Sequence, residues 1–112
     1  MIVEKYIDGP TLNHEFILPR KCMANEGHAH AFDHITFVRR GAVLLYVRPP
    51  CDADWKFEGR YDRGDLFTTR AGVEHKIKAD SDGTVYVCVF VHRDFGSAET
   101  VQEYNGNHEA YA

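Results

Sequence analysis

Four histidines set what this chain can do chemically. His28, His30 and His34 fall in Gly27-His-Ala-His-Ala-Phe-Asp-His, and His75 closes Arg70-Ala-Gly-Val-Glu-His. On an extended strand alternate side chains share a face, so His28 and His30 point the same way. His34 keeps that parity if the strand runs on without a bulge. Four imidazoles at these spacings are the pattern expected of four ligands to one transition-metal ion. His14, His92 and His108 fall in no such pattern and read as ordinary core or surface side chains. An inward-facing His92 would replace one ligand if the register differs.

The elements that must position these residues are strands. His14-Glu-Phe-Ile-Leu-Pro is a short apolar run closed by Pro19, and Ile35–Arg40 runs through Gly41 into Ala42–Arg48, which ends at Pro49-Pro50. Gly41 between two β-rich runs predicts a tight hairpin or a bulge. Trp55–Tyr61 alternates and meets the turn cluster Asp62-Arg-Gly-Asp. Leu66–Thr69, His75–Lys78 and Thr84–His92 complete the set, with Asp80-Ser-Asp-Gly as the turn before the last strand. Many short strands with Gly, Asp and Pro turns predict an all-β antiparallel sandwich or barrel. Neither an internal repeat nor a low-complexity linker interrupts 1–112, which reads as a single domain. The stretch 97–112 is polar and weakly patterned, an extension or tail.

Composition narrows the partners. The chain has 112 residues, enough for one core, with 13 basic against 17 acidic residues and net charge -4. That balance argues against nucleic acid or an anionic membrane as the main partner, and leaves room for a small anionic ligand held by one local arginine. No apolar run approaches the length that spans a bilayer. The N-terminus alternates polar and apolar residues without a signal peptide's layout, so the expected location is cytoplasmic. Cys22, Cys51 and Cys88 form no CxxC pair and read as free thiols of a reducing compartment, with Cys88 a small core residue.

The two histidine segments carry a specific resemblance. His28, His30, position 34 and Gly41 resemble motif 1 of the cupin superfamily, and Gly64-Asp65, Gly72 and His75 resemble motif 2. Together they span Gly27 to about Ala79, roughly half of the chain. Three positions depart from the family pattern: His34 stands where glutamate is usual, Arg70 replaces a proline, and Ala79 replaces an asparagine that often follows the last ligand.

The resemblance implies a double-stranded β-helix, a jelly-roll barrel of antiparallel strands, with His28, His30, His34 and His75 as ligands of one divalent metal. It also implies a homodimer, since small cupins commonly pair through their sheets. The histidine at position 34 changes the chemistry, because four neutral imidazoles leave the ion its full positive charge. Imidazole suits iron, nickel, copper and zinc, whereas carboxylate favours manganese and magnesium. Iron comes first, with nickel, copper and zinc next, and the ion should be a strong Lewis acid.

Further residues could complete a pocket for a small-molecule ligand. Alternation places Thr36 and Val38 on the face of His34. On the last strand either Val85, Val87, Val89 and Val91 or Tyr86, Cys88, Phe90 and His92 face the interior. Arg39, Arg40, Arg48 and Arg70 could hold a carboxylate in two contacts, although solvation is the plainer role of a strand arginine. Arg70 stands out by its place beside the second motif, and Arg48 and Phe90 join it as candidate substrate-binding residues. Glu26, Asp33 and Glu74 flank the ligands and could orient imidazoles, with surface solvation the plainer role.

Two functions are compatible with this. One is an oxygenase that uses the metal to oxidise a small organic acid or diketone, a class the resemblance suggests for histidine-only sites, with isomerase or lyase chemistry as a related option. The other is a non-catalytic module that binds a metal or small molecule. A catalytic site keeps a position open to solvent, and a structural one fills every position with protein groups. No residue can be assigned as general base.

Overall fold

Leu12, His14, Phe16 and Leu18 are buried while Glu15 and Ile17 between them are partly exposed, the period-two signature of a strand with one face in a core. The same alternation buries His34, Thr36 and Val38, then Phe67 and Thr69, then His75, Ile77 and Ala79. The computed structural model describes residues 1–28 and 33–91, with 26–28 and 91 as backbone alone. Within them nine strands form: β1 Ile2–Asp8, β2 Thr11–Leu18, β3 Ala24–His28, β4 His34–Arg40, β5 Ala42–Arg48, β6 Lys56–Asp62, β7 Leu66–Thr69, β8 Glu74–Ala79 and β9 Thr84–Val91. Every pairing is antiparallel.

The strands make a five-stranded sheet, ordered β1-β2-β9-β4-β7, and a four-stranded sheet, ordered β3-β8-β5-β6. One hydrophobic cluster joins them. Leu12, Phe16, Leu18, Val38, Tyr86 and Phe90 come from the first sheet, and Val43, Leu45, Ile77 and Ala79 from the second. The fold is thus the all-β, two-layered double-stranded β-helix expected, with one correction. Among the described residues no hydrogen-bonded pairing joins the two sheets into a closed barrel. At the β6 and β7 edges contact is made by side chains, with Tyr61 stacked on Phe67 at 4.4 Å between ring centroids.

Two local expectations change. Gly41 makes no hairpin, because β4 and β5 belong to different sheets and the chain crosses between layers at this residue. Its φ is +75°, and a bulge lies just before it, between Val38 and Arg40. His28 and His34 do not share one strand either. β3 is in the four-stranded sheet and β4 in the five-stranded one, so strand parity cannot relate their side chains. On β9 the structure settles the open choice: Tyr86, Cys88 and Phe90 enter the core. Cys88 is buried, whereas Cys22 and Cys51 are exposed, and all three are free thiols. Among the described residues no helix is long and apolar enough to cross a membrane. His30, His92, His108 and the stretch 97–112 lie outside the described residues.

Candidate metal centre

His34 opens β4 and His75 is the second residue of β8, so the two come from opposite sheets. Each is 3% exposed, and their ring centroids stand 5.0 Å apart with the planes at 58°. Phe90 of β9 tilts against His34 at 4.9 Å. His14 of β2 meets the other side of this group, edge-on to Phe90 at 5.8 Å and to Phe16 at 6.1 Å. His14 is fully buried, the core histidine its lack of a ligand pattern predicts.

His28 ends β3 directly opposite His75 in the β3–β8 ladder, with a register shift between Asn25 and His28. Its side chain, like all of His30, lies outside the described residues. The structure therefore brings together the strand positions of His28 and His75 and the rings of His34 and His75. Among the described residues no group of three or more histidine, cysteine, aspartate or glutamate side chains converges as a metal set.

The spacing of the two described rings can be tested against a shared ion. An ion about 2.0–2.1 Å from one nitrogen of each imidazole would lie about 3.2 Å from each centroid, so ligand angles of about 90–110° would set the centroids about 4.5–5.2 Å apart. The observed 5.0 Å falls inside that interval. The two described rings are both imidazole, a donor type that suits iron, nickel, copper or zinc.

The turns around the pair are built to hold it. Gly64 and Gly72, the two second-motif glycines, have φ of +92° and +78°, a region that costs other residues about 1–2 kcal/mol. The Ala71 amide donates to Asp33 Oδ1 at 2.6 Å, which ties the residue before His34 to the turn before His75. Asp33 thus acts on the backbone of the turn that leads to His75. Glu74 faces away from His75 along β8 and accepts a 2.7 Å hydrogen bond from Arg48 Nη2.

The candidate substrate-binding residues separate. Phe90 lies against His34. Arg48 stands opposite Glu74 in the ladder, is paired with it, and lies over Trp55 at 4.5 Å, on the outer face of the sheet. That corrects its expected place at the pocket, because β5 alternation gives the inward position to Val47, the register partner of His75. Arg70 is exposed and lines a cleft of about 150 Å³ together with Leu45, Val47, Glu58, Thr69 and Val73. A larger depression of about 360 Å³ lies on the outer face of the five-stranded sheet, between Glu15, Arg39, Arg40 and Val85, away from both histidines. Thr69 is the site residue that sequence reasoning missed. No motif marks it, and only the β4–β7 register, which pairs it with His34, could have shown it.

The interior beside the pair is closed to solvent, with polar groups such as Thr36, Asn25 and Thr69 buried among apolar ones. Burial pushes the Cys88 thiol up to about 12, partly offset by its contact with Thr36 Oγ1 at 3.5 Å. Burial likewise pushes Tyr86 well above its ordinary value, while Asn25 Nδ2 donates to its hydroxyl at 3.3 Å. Neither group is placed to act as a base at neutral pH.

This two-sheet architecture is similar to that of solved structures that include cupin-superfamily proteins. A cupin-superfamily protein from Desulfitobacterium hafniense is similar at TM-score 0.64 and 9% identity, over 80% of this chain and 75% of that one. An RmlC-like cupin with a double-stranded β-helix fold from Methanocaldococcus jannaschii gives TM-score 0.64 at 16% identity, over 81% and 79%. The protein KdgF from Halomonas sp. gives 0.62 at 17% identity, over 83% and 79%. No protein-family model matches the sequence, and no curated protein matches it. The chain has the double-stranded β-helix fold of these structures.

Proposed function

We propose that this cupin holds one divalent transition metal through His28, His30, His34 and His75, iron before nickel, copper or zinc, and uses it to oxidise a small organic acid or diketone. The observation that carries this reading is the meeting of His34 and His75 from opposite sheets. Both are buried, at a separation compatible with two ligands of one ion, and the backbone of His28 is paired opposite His75.

When bound, such an ion supplies a Lewis acid and, for iron or copper, a redox partner for dioxygen. The remaining work falls to the chain. Histidine ligands add no negative charge, so an anionic substrate is attracted to the centre. Phe90, packed on His34, and Leu45 and Val47 of β5 keep the interior beside the histidines apolar and limit water. Asp33 holds the turn that carries His75 in register with the start of β4.

Elemental analysis of freshly purified protein tests the metal reading, with about one transition-metal ion per chain expected. His34→Ala and His75→Ala should each lose most of it, because a missing ligand costs more than the 10- to 100-fold that an outer-shell partner typically does. Full occupancy in both variants, or no uptake by the parent protein after reconstitution, would sink the assignment. Oxygen uptake with small acids and diketones then tests the oxidation. An iron-loaded protein that consumes no oxygen with any of them would leave a binding module.

A further inference from the structure

Beside the histidine pair, the cleft between β5, β6 and the end of β7 carries three features that the metal reading leaves unused. Arg70 lines it and makes no ion pair among the described residues. Thr69 also lines it, at 4% exposure, with its Oγ1 buried and lacking a hydrogen-bond partner among the described residues. A buried hydroxyl in that condition costs free energy unless a ligand or water satisfies it. Leu45, Val47 and Val73 supply the apolar wall, and Glu58 also lines the cleft.

We propose that this cleft binds a small monocarboxylate, with the carboxylate on the Arg70 guanidinium, the carbon skeleton along Leu45, Val47 and Val73, and the inner end beside Thr69 Oγ1. Register fixes the direction. Thr69 is the ladder partner of His34, and Val47 that of His75, so the inner wall of the cleft is made by the neighbours of both histidines. A guanidinium fork matches a carboxylate in two parallel hydrogen bonds. Glu58 on the lining disfavours a second carboxylate, which selects monoacids over diacids. A cavity of about 150 Å³ accommodates a benzene-sized molecule, so the ligand has about six non-hydrogen atoms. The arrangement rests on the metal reading only in making the Thr69 end the reacting end.

Isobutyrate, a branched monoacid of this size, is the probe, titrated calorimetrically into chelator-treated and metal-loaded protein beside its neutral amide and succinate. Isobutyrate should bind both forms at least about tenfold more tightly than isobutyramide or succinate. Arg70→Gln should weaken it about tenfold, Arg70→Lys should recover part of the loss, and neither should change metal content. No detectable isobutyrate binding, equal binding of acid and amide, or an unchanged affinity in Arg70→Gln would each overturn the proposal. Binding that needs metal and ignores Arg70 would place the carboxylate on the ion, leaving the metal reading intact and removing this one. Arg70-dependent binding to a protein that never takes up metal would do the reverse.

Discussion

Cys88 shows how far a single side chain can be taken from its neighbours alone. Burial holds its thiol protonated up to about 12, against an ordinary 9.0, and burial raises the Tyr86 hydroxyl in the same direction. A raised folded value means that the unfolded chain releases its proton first. The associated stability is complete below about pH 9 and is lost as pH climbs toward 12. Urea unfolding across this window should show stability falling by up to about 1.4 kcal/mol per pH unit for each such group. Cys88→Ala should flatten the decline, and an equally steep fall in that variant would refute the attribution. At neutral pH Cys22 and Cys51 should react with a thiol reagent in the native protein, and Cys88 only on unfolding. The residue types of the site were legible in the same way. His34 and His75 stand out by type and spacing, Gly41, Gly64 and Gly72 by the resemblance to the family motifs, and the three glycines take left-handed φ. Thr69 and the outward turn of Arg48 were not legible, because each depends on a strand partner distant in sequence.

Strands announce themselves by alternation, but nothing local tells a strand which sheet it will join. β4 and β5 read as a hairpin or a bulge at Gly41 because the sequence on either side is β-rich, yet β4 pairs with β9 and β7, while β5 pairs with β8 and with β6, the next strand along the chain. The same ignorance let His28, His30 and His34 read as one strand. At Gly41 the crossing demands two things together. The residue is left-handed, and an added Cβ would stand 2.4 Å from Ser81 Oγ and 2.6 Å from Thr84 Oγ1. Those hydroxyls lie 2.9 Å from each other, and Ser81 Oγ accepts from the Ala42 amide at 3.1 Å. Gly83 shares the left-handed φ, at +66°, with nothing near its missing Cβ. Gly83→Ala should therefore cost about 1–2 kcal/mol from the backbone term alone. Gly41→Ala should add the displaced hydrogen bonds, for about 2–4 kcal/mol in all. Equal losses in chemical denaturation would mean that the backbone, and not the contact with the β8–β9 turn, sets the requirement at the crossing.

At the scale of the whole molecule, the two sheets share a single hydrophobic core, and at its histidine end they meet through His34 on one side and His75 on the other. An ion ligated from both layers would act as a cross-link between them, so its binding free energy would appear as folding free energy. At a free metal concentration about a hundred times the dissociation constant, this linkage contributes about 2.7 kcal/mol. A domain of this size gains about 4–8 °C in Tm per kcal/mol, so metal loading should raise Tm by about 10 °C or more. His75→Ala should abolish the rise, measured from the variant's own metal-free Tm, which the cavity left by the buried ring will lower. A loaded protein no more stable than the metal-free one would show instead that the unfolded chain binds the ion as well as the folded one does. The fold would then not assemble the site, and ligation across the layers would be wrong even though the histidines bind.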